Sequence, residues 1–505
     1  MAVSDGAPTR HTRAYGGLIA GMDVMTTEPD PRRWRALAVT QLAGFMGLLD
    51  VSIVNVALPS IQGDLGASAA TVQWVVSGYA LAFGLVLVGA GRLGDAVGRR
   101  RMFLVSLTAF VATSALCGAA PTAGLLVAAR LLQGVAAGML GPQNSGLIQQ
   151  LFRGAERGRA FGVFGASVGL STAVGPVAGG VILAVAGEPQ GWRWVFLVNV
   201  PIGLAALVVA SRVLPPSPMV DRRVLGQLDV PGAALLGGGV LCVLLPLISA
   251  ADGGLSRGWW LLVVAAALLV LFAWWERRVS RRGRAPLLDP VLITSTPGYP
   301  TGAAIGLAYF IGFSGLWLVF AMFFQTGLGY SPLESGLAVT PFALGGAVAS
   351  AVAGRLVGRF GRWVTVLGLA GVVVGFAAAA IVLPLAPLRL AGWAVALPLL
   401  VAGVGGGAVI SPNITLSLES VPVRMAGAAG GALQTGQRIG SAIGTAALAA
   451  VFYAAVSAGG RNYLAGAVAA LLTAVGFVLV ALALAVVELR ARRRTSPGVS
   501  ALSYT

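Results

Sequence analysis

The stretch GRLGDAVGRRRMF, Gly91–Phe103, decides the fold of this chain. It joins two long apolar runs, and an imperfect copy, GRLVGRFGR, joins two others at Gly354–Arg362. Gly358 stands in the copy where the first loop has Asp95. A basic, glycine-punctuated hairpin repeated at corresponding places predicts a duplicated membrane protein. The residues that recur are Gly91, Arg92, Leu93, Gly98 and Arg99, which return as Gly354, Arg355, Leu356, Gly361 and Arg362.

The composition of the chain is that of an integral membrane protein. Of 505 residues, 57% are hydrophobic and only 10% are charged, and the mean hydropathy is +0.88. Soluble domains carry about 25% charged residues. The apolar runs are long enough to cross the roughly 30 Å of hydrocarbon as helices. We therefore predict an all-α integral membrane protein.

Missing residue types exclude several kinds of chemistry. All 34 basic residues are arginine, which excludes a Walker phosphate loop and a Schiff-base lysine. The only histidine, His11, lies in the N-terminal tail, so the core has no histidine for a metal site or for acid–base catalysis. We expect no enzyme, no metal and no cofactor. Arginine in place of lysine, with abundant alanine, glycine and valine, suggests a GC-rich bacterial genome.

The apolar runs follow a six, two, six arrangement. Two six-helix bundles are expected at 36–213 and 301–488, with two additional helices at 229–278 between them. The remaining segments are a flexible cytoplasmic N-terminal tail at 1–35, a cytoplasmic linker at 214–228, a basic cytoplasmic linker at 279–300 and a cytoplasmic C-terminal tail at 489–505. The fourteen spans are predicted at about 36–59, 71–91, 102–120, 123–148, 158–186, 193–213, 229–249, 258–275, 301–326, 333–354, 363–385, 391–416, 426–455 and 463–487.

The arginines support this topology. When the spans alternate in direction, four of the 34 arginines fall on the outer side and two lie within spans, which leaves 28 on the inner side. Such a bias fits the positive-inside rule with both termini in the cytoplasm. It also accounts for the net charge of +17 without a nucleic-acid partner. The two central helices carry tryptophans near their ends and no deep ionisable residue, so we predict that they face lipid and serve packing.

Three ionisable side chains are predicted to lie deep in the bilayer: Asp50, Arg130 and Arg438. A charge there costs roughly 2.5–3.5 kcal/mol on insertion scales, so each one requires a reason. Asp50 either binds a proton or substrate, or makes a static contact between helices. Arg130 either tunes Asp50 or anchors it. Arg438 either contacts substrate, joins a polar layer across the cavity between the two halves, or packs.

The other candidates line a cavity or shape a helix. Asn55, Gln133 and Gln434 are polar candidates for a substrate cavity. Aromatic residues of the ninth span either line that cavity or face lipid, the fate we favour for most of them. Phe310 and Trp317 are our cavity candidates, and the others are Phe320, Phe323 and Phe324.

A glycine-rich segment of the fifth span is expected to bend and to let a neighbouring helix approach closely, unless it is generic small-residue packing. Its residues are Gly175, Pro176, Gly179 and Gly180. The Gly91–Phe103 loop is expected to act as a conformational latch between helix ends, since a merely solvated loop would need its arginines but not its glycine and aspartate spacing. The latch residues are Gly91, Asp95, Gly98, Arg99 and Arg100.

In this order, these stretches resemble the major facilitator superfamily, and specifically its fourteen-helix drug:proton antiporter branch. GRLGDAVGRR resembles the loop motif between helices two and three, and LDVSIVNVALP the first-helix signature. RLLQGVAAG resembles the fourth-helix motif with its buried arginine, and GPVAGG the fifth-helix motif of antiporters. Two residues depart from the pattern: Ala96 replaces a basic residue, and Ser171 replaces a glycine.

The resemblance implies two pseudo-symmetric bundles that alternate access around a midplane cavity. Asp50 would be the proton-coupling acid and Arg130 its partner. The implied function is proton-driven export of amphiphilic small molecules, such as drugs, antibiotics or toxic compounds, by a monomer in the bacterial inner membrane. A dedicated exporter of a self-made secondary metabolite and a facilitative carrier remain open. A receptor or a scaffold would not explain the duplicated hairpin, and an intramembrane enzyme would need a paired acid, a histidine or a metal cluster that the core sequence does not offer.

Overall fold

The computed structural model describes residues 31–187, 189–216, 229–248, 254–282, 284 and 286–495. Within these residues, thirteen helical stretches are long and apolar enough to cross a membrane. The predicted fifth span lies on a further helix of 33 residues, Gly154–Ala186, of which Val177–Ala186 is a shorter apolar stretch. The predicted all-helical fold is confirmed.

Seven helices form the first bundle. Two of these helices begin at a capping side chain. Ser68 accepts a hydrogen bond from the Thr71 N–H at the start of the second span, and Thr122 accepts one from the Leu125 N–H at the start of the fourth. The helices are α1 Arg33–Leu65, α2 Ala69–Val97, α3 Arg99–Gly118, α4 Ala123–Leu151, α5 Gly154–Ala186, α6 Trp192–Leu197 and α7 Asn199–Val213.

The central pair and the second bundle complete the chain. Helix α9 continues past residue 278, where the predicted segment ends. Arginines in its last turn stabilise this extension, because their positive charge interacts favourably with the negative end of the helix dipole. The helices are α8 Val230–Ile248, α9 Gly254–Arg281, α10 Val291–Thr294, α11 Tyr299–Ser314, α12 Leu316–Ala321 with a π-helical continuation Met322–Gly327, α13 Pro332–Phe360, α14 Arg362–Leu385, α15 Ala391–Ala394, α16 Ala396–Ser417, α17 Ala426–Ala458 and α18 Tyr463–Thr495.

Some predicted segments lie wholly or mostly outside the described residues. These are residues 1–30 of the N-terminal tail, residues 217–228 of the first linker and the C-terminal residues 496–505. The flexibility and cytoplasmic position of these segments therefore stay predictions.

The repeated hairpin is a one-residue turn in both bundles. Helix α2 ends at Val97 and α3 begins at Arg99, with Gly98 at a φ of 104°. Gly361 joins α13 to α14 in the same way, at a φ of 53°. Side chains with a Cβ rarely adopt these angles, so glycine suits both turns. The end of the protein that carries both turns is called the loop end below.

The two bundles meet through two equivalent helix pairs, α2 with α17 and α5 with α13. Glycines bring the backbones together near the loop end. A Cβ at Gly91 would lie 2.2 Å from the carbonyl oxygen of Gly427, and one at Gly354 would lie 2.4 Å from that of Gly158. The bundles can approach this closely only because these positions lack side chains.

Gly354→Ala is expected to destabilise the closed interface by about 1–3 kcal/mol, because the methyl group would overlap backbone atoms of α5. Gly358→Ala is the matched control, since its nearest neighbour, the Cβ of Ala155, would be 3.5 Å away. Thermal unfolding of the purified proteins in detergent measures the difference. Equal melting temperatures for the two variants would contradict this packing.

The central helices only partly follow their prediction. Helices α8 and α9 pack against each other, and three tryptophans, Trp259, Trp260 and Trp274, are exposed as expected of lipid-facing helices. The fourth, Trp275, instead donates its Nε1–H to Asp229 at 2.8 Å. Glu276 is buried near the end of α9 and accepts the Leu288 N–H at 2.9 Å. This carboxylate ties the following linker to the helix pair.

Candidate functional site

Asp50 and Arg130 form an ion pair inside the first bundle. Asp50 lies midway along α1, Arg130 lies in α4, and both side chains are 0% exposed. Arg130 Nη1 donates to Asp50 Oδ2. Each charge therefore compensates the desolvation of the other, as a pair in a low-dielectric site must. The two deep charges that the sequence predicts in this bundle come together.

Two amides also bind the Asp50 carboxylate. Gln133 Nε2 donates to Asp50 Oδ1 at 3.1 Å, and Asn199 Nδ2 from α7 donates to the same oxygen at 3.2 Å. Gln133 also donates to Ser114 Oγ at 2.8 Å. Our placement of Gln133 in the substrate cavity is thus wrong: one turn from Arg130, it points into the ion-pair cluster. Asn199 was missed, although it is a lone amide in the apolar run VFLVNVPIG.

Arg130 is fixed on its other sides as well. Its Nε–H donates to the Val75 carbonyl at 2.9 Å, and its Cζ lies 4.1 Å from the Tyr79 ring centroid. The Tyr79 hydroxyl donates to the Gly47 carbonyl of α1 at 2.7 Å. Tyr79 therefore connects Arg130 with the backbone of α1, about one turn before Asp50.

A cavity of about 400 Å³ lies between the two bundles. Gly47 and Val51 of α1 line it, whereas Asp50 does not. The ion pair is therefore separated from the cavity by the width of α1. Five of the predicted candidates do line the cavity: Asn55, Phe310, Trp317, Gln434 and Arg438.

Aromatic rings cover the side of the cavity that belongs to the second bundle. Phe313 stacks on Tyr309 at a centroid distance of 5.4 Å and on Phe342 at 5.2 Å. Trp317 meets the Phe313 and Phe342 rings edge-on. Phe310, Phe313, Trp317, Tyr309 and Phe342 are called the aromatic wall below.

The expectation that most ninth-span aromatics face lipid is wrong. Phe320, Phe323 and Phe324 are buried in the core of the second bundle. Phe320 lies in the short α12, and Phe323 and Phe324 lie in its π-helical continuation. Both segments pack against α13 and α18, which places the three rings in the bundle core rather than toward lipid.

Arg438 is the one charged side chain that lines the cavity in the part of the chain that the structure describes. Its Cζ lies 4.5 Å from the Phe83 ring centroid of the opposite bundle. Among the described residues no carboxylate forms an ion pair with it. One turn earlier, Gln434 Nε2 donates to Ser145 Oγ at 3.3 Å and so also crosses between the bundles.

The glycine-rich segment of α5 packs on the stretch of α1 that follows Asp50. A Cβ at Gly175 would lie 2.2 Å from the Ser52 Cβ, and one at Gly179 would lie 3.0 Å from the Ile53 carbonyl oxygen. Gly180 has no atom within 4 Å of its Cβ position, so it takes no part in this contact. Pro176 lies within the same helix. The predicted close approach is present, and the bend stays a prediction.

Asp95 binds the opposite bundle through its carboxylate. The backbone N–H groups of Gly427 and Ala428 donate to its two oxygens at 3.1 and 3.0 Å. These groups belong to the first turn of α17, where unpaired N–H groups and the helix dipole favour an anion. Arg99 Nη2 forms an ion pair with the same carboxylate at 2.8 Å.

The remaining latch residues have different partners. Arg99 donates to the Gly146 carbonyl of its own bundle at 2.7 Å and crosses to the opposite bundle by donating to the Val423 carbonyl. Arg100 donates to the Ser211 carbonyl at the end of α7 and so stays within its own bundle. Gly98 forms the turn, and Gly91 makes the close approach described above.

The second copy of the loop has become a contact within one bundle. Arg362, the counterpart of Arg99, donates to Asn413 Oδ1 at 2.6 Å and pairs with Glu488 of α18 at 2.8 Å. The acid lost at Gly358 is thus replaced by one from a distant helix. The sequence repeat predicts the arginine but not this partner.

Comparisons with known proteins agree with this architecture. The family model of the Major Facilitator Superfamily matches residues 41–445 and 302–503. A probable actinorhodin transporter of Streptomyces coelicolor is 37% identical over 454 residues, which are 88% of this chain and 78% of that relative. The puromycin resistance protein pur8 of Streptomyces alboniger is 37% identical over 433 residues, 85% of this chain and 84% of that protein.

The crystal structure of the human organic anion transporter MFSD10 has a TM-score of 0.65 at 17% identity, and the match covers 90% of this chain and 99% of that one. This similarity concerns the fold. The family match across most of the chain and the bacterial relatives agree with the helical order and the paired loops, and the chain belongs to the major facilitator superfamily of membrane transporters.

Proposed function

We propose that this protein is a proton-coupled antiporter that exports amphiphilic small molecules from the bacterial cytoplasm by alternating access. The observation that carries the proposal is the arrangement of the buried Asp50–Arg130 pair behind the α1 wall of a cavity between the bundles. A carboxylate in this position can bind a proton without touching the cargo. Relatives named for antibiotic transport and resistance support the drug-like cargo.

The described conformation fits an outward-facing state. Hydrogen bonds between the bundles lie in the half nearer the loop end, which we place in the cytoplasm with both termini. We infer that this half is closed and that the cavity empties to the outside. The bonds join Asp95 to Gly427 and Ala428, Arg99 to Val423, Gln149 to Leu418, Gln434 to Ser145 and Ser350 to Gly162.

Proton binding would act on this conformation through α1. A proton on Asp50 would remove the charge that holds Arg130, and Arg130 contacts Tyr79, whose hydroxyl binds the Gly47 carbonyl. The α5 glycines pack closely against Ser52 and Ile53 of α1. A change in the ion pair would therefore shift the residues of α1 that line the cavity. We propose this path as the link between proton and cargo.

Transport into inverted membrane vesicles tests the proposal. A panel of antibiotics and fluorescent dyes is offered with a proton gradient and again after an uncoupler has dissipated it. We expect at least one compound to accumulate only with the gradient, and its addition to release protons from the vesicle lumen. Equal uptake in both conditions would favour a facilitative carrier. Uptake of a single compound from the whole panel would favour a dedicated metabolite exporter.

Gly175→Ala is expected to lower the transport rate several-fold, because its methyl group would displace α1 beside Asp50. Gly180→Ala is the matched control on the same helix, with open space at its Cβ position. Initial uptake rates in vesicles with equal amounts of each protein provide the measurement. A similar loss in both variants would mean that helix stiffness matters at this segment rather than the contact with α1.

A further inference from the structure

The two sides of the cavity differ in shape. The second bundle contributes the aromatic wall, whose rings stack and meet edge-on at centroid distances of 5.2–5.6 Å. The first bundle contributes fewer rings, Phe83 and Phe164, and several glycines, among them Gly44, Gly47, Gly141 and Gly169. A flat ring system fits between the aromatic wall and these glycines, because it can stack on the rings and lie close to the backbone where side chains are missing.

The charge of the cavity points to an anion. Among the described residues, Arg438 is the only charged one that lines the cavity, and the buried Asp50 is already paired with Arg130. A guanidinium at membrane depth with no carboxylate partner is costly unless a bound molecule supplies one. Carboxylates and ionised phenols match its planar donors. A cationic cargo would instead meet a like charge and no acid.

Unpartnered polar atoms in the cavity indicate which other functional groups the cargo carries. Both amide atoms of Asn144, the Nε2 of Gln41 and the Tyr309 hydroxyl are buried and have no hydrogen-bond partner among the residues that the structure describes. All three side chains line the cavity and are at most 5% exposed. Buried polar groups are nearly always paired in a functional state, so carbonyl or hydroxyl groups of a ligand, or water, would complete them.

We propose that the cavity selects flat aromatic molecules that carry one anionic group. The anion binds Arg438, the rings stack on the aromatic wall, and carbonyl or hydroxyl groups on the rings bind Asn144 and Tyr309. This inference rests on the proposed function for its assignment of the cavity to cargo. It goes further in naming the charge and shape of that cargo.

Three probes with one ring system separate charge from shape. They are anthraquinone-2-carboxylate, the neutral anthraquinone-2-carboxamide and the cationic 2-(aminomethyl)anthraquinone, each titrated into the purified full-length protein at neutral pH. We expect the carboxylate to bind at least about tenfold more tightly than the carboxamide, the gain of one well-placed charge-assisted bond. The amine should bind most weakly.

Variants of Arg438 test whether this residue causes the preference for the carboxylate. Arg438→Gln should abolish the difference between carboxylate and carboxamide, and Arg438→Lys should keep most of it. Equal binding of the carboxylate and the carboxamide to the wild type, or tightest binding of the amine, would overturn the proposal. The wild-type comparison decides even if a variant fails to fold.

The outcome is separable from that of the proposed function. Equilibrium binding needs no gradient, so a carboxylate preference supports the named cargo class even if vesicle transport is not driven by protons. Gradient-driven export of cations, with the amine probe bound most tightly, would keep the antiporter and overturn the anionic cargo.

Discussion

Replacing Asp50 by asparagine is expected to abolish gradient-driven export. Asparagine has nearly the same size as aspartate but cannot carry the proton. It would also leave Arg130 buried without its counter-charge, because Arg130 Nη1 donates to the lost carboxylate. Removing one partner of a buried pair costs about 3–5 kcal/mol. Uptake into inverted vesicles with an imposed proton gradient gives the rate, and the amount of folded protein gives the stability.

A double variant distinguishes coupling from packing. Asp50→Asn combined with Arg130→Gln removes both charges, so we expect it to recover much of the lost stability. If Asp50 couples protons to transport, the double variant remains inactive with a gradient although it is folded. If Asp50 only packs α1 against α4, the double variant regains gradient-driven export, and the coupling role is wrong.

The second large effect is expected at the latch. Asp95→Ala removes the acceptor of two α17 N–H groups and the partner of Arg99. A buried donor left without a partner costs about 1–3 kcal/mol, and each 1.4 kcal/mol is a factor of ten in an equilibrium. The conformation closed at the loop end should therefore become at least about tenfold less populated. We expect the vesicle transport rate to fall accordingly while the protein still folds.

Two further variants make the test of the latch specific. Gly358→Ala alters the corresponding position of the second loop, where the nearest atom would be 3.5 Å away, so little change is expected. Asp95→Asn keeps one oxygen acceptor for α17 but loses the charge that pairs with Arg99, and it should fall between wild type and Asp95→Ala. Equal effects of Asp95→Ala and Gly358→Ala would mean that both loops are only topological anchors.

The asymmetry of the two loops has a structural reason. Asp95 and Arg99 together reach the opposite bundle, so their contact can part when the bundles separate. Arg362 pairs with Glu488 inside its own bundle, so its contact can persist through the same movement. One copy of an ancestral hairpin thus links the bundles, while the other stabilises its own bundle.

Much of the site could be predicted from the sequence because charges are rare in apolar runs. Asp50, Arg130 and Arg438 stand out against their neighbours, and hydrocarbon makes any charge expensive. The spacing of the apolar runs likewise predicts the helices, and the repeated glycines predict two short hairpins, which the structure shows to be one-residue turns. These features are local, so they can be read along the chain.

Only the tertiary structure decided which side chains meet. Gln133 turned toward Asp50 instead of the cavity, Asn199 joined the same carboxylate from α7, and Glu488 became the partner of Arg362. Such contacts depend on how helices far apart in the chain are rotated and packed, which no local periodicity specifies. The sequence by itself determined the membrane helices, the duplicated hairpin and the deep charges. Packing determined that one charge pair is buried outside the lining of the cavity, whereas Arg438 lines the cavity opposite the first bundle, beside the aromatic wall.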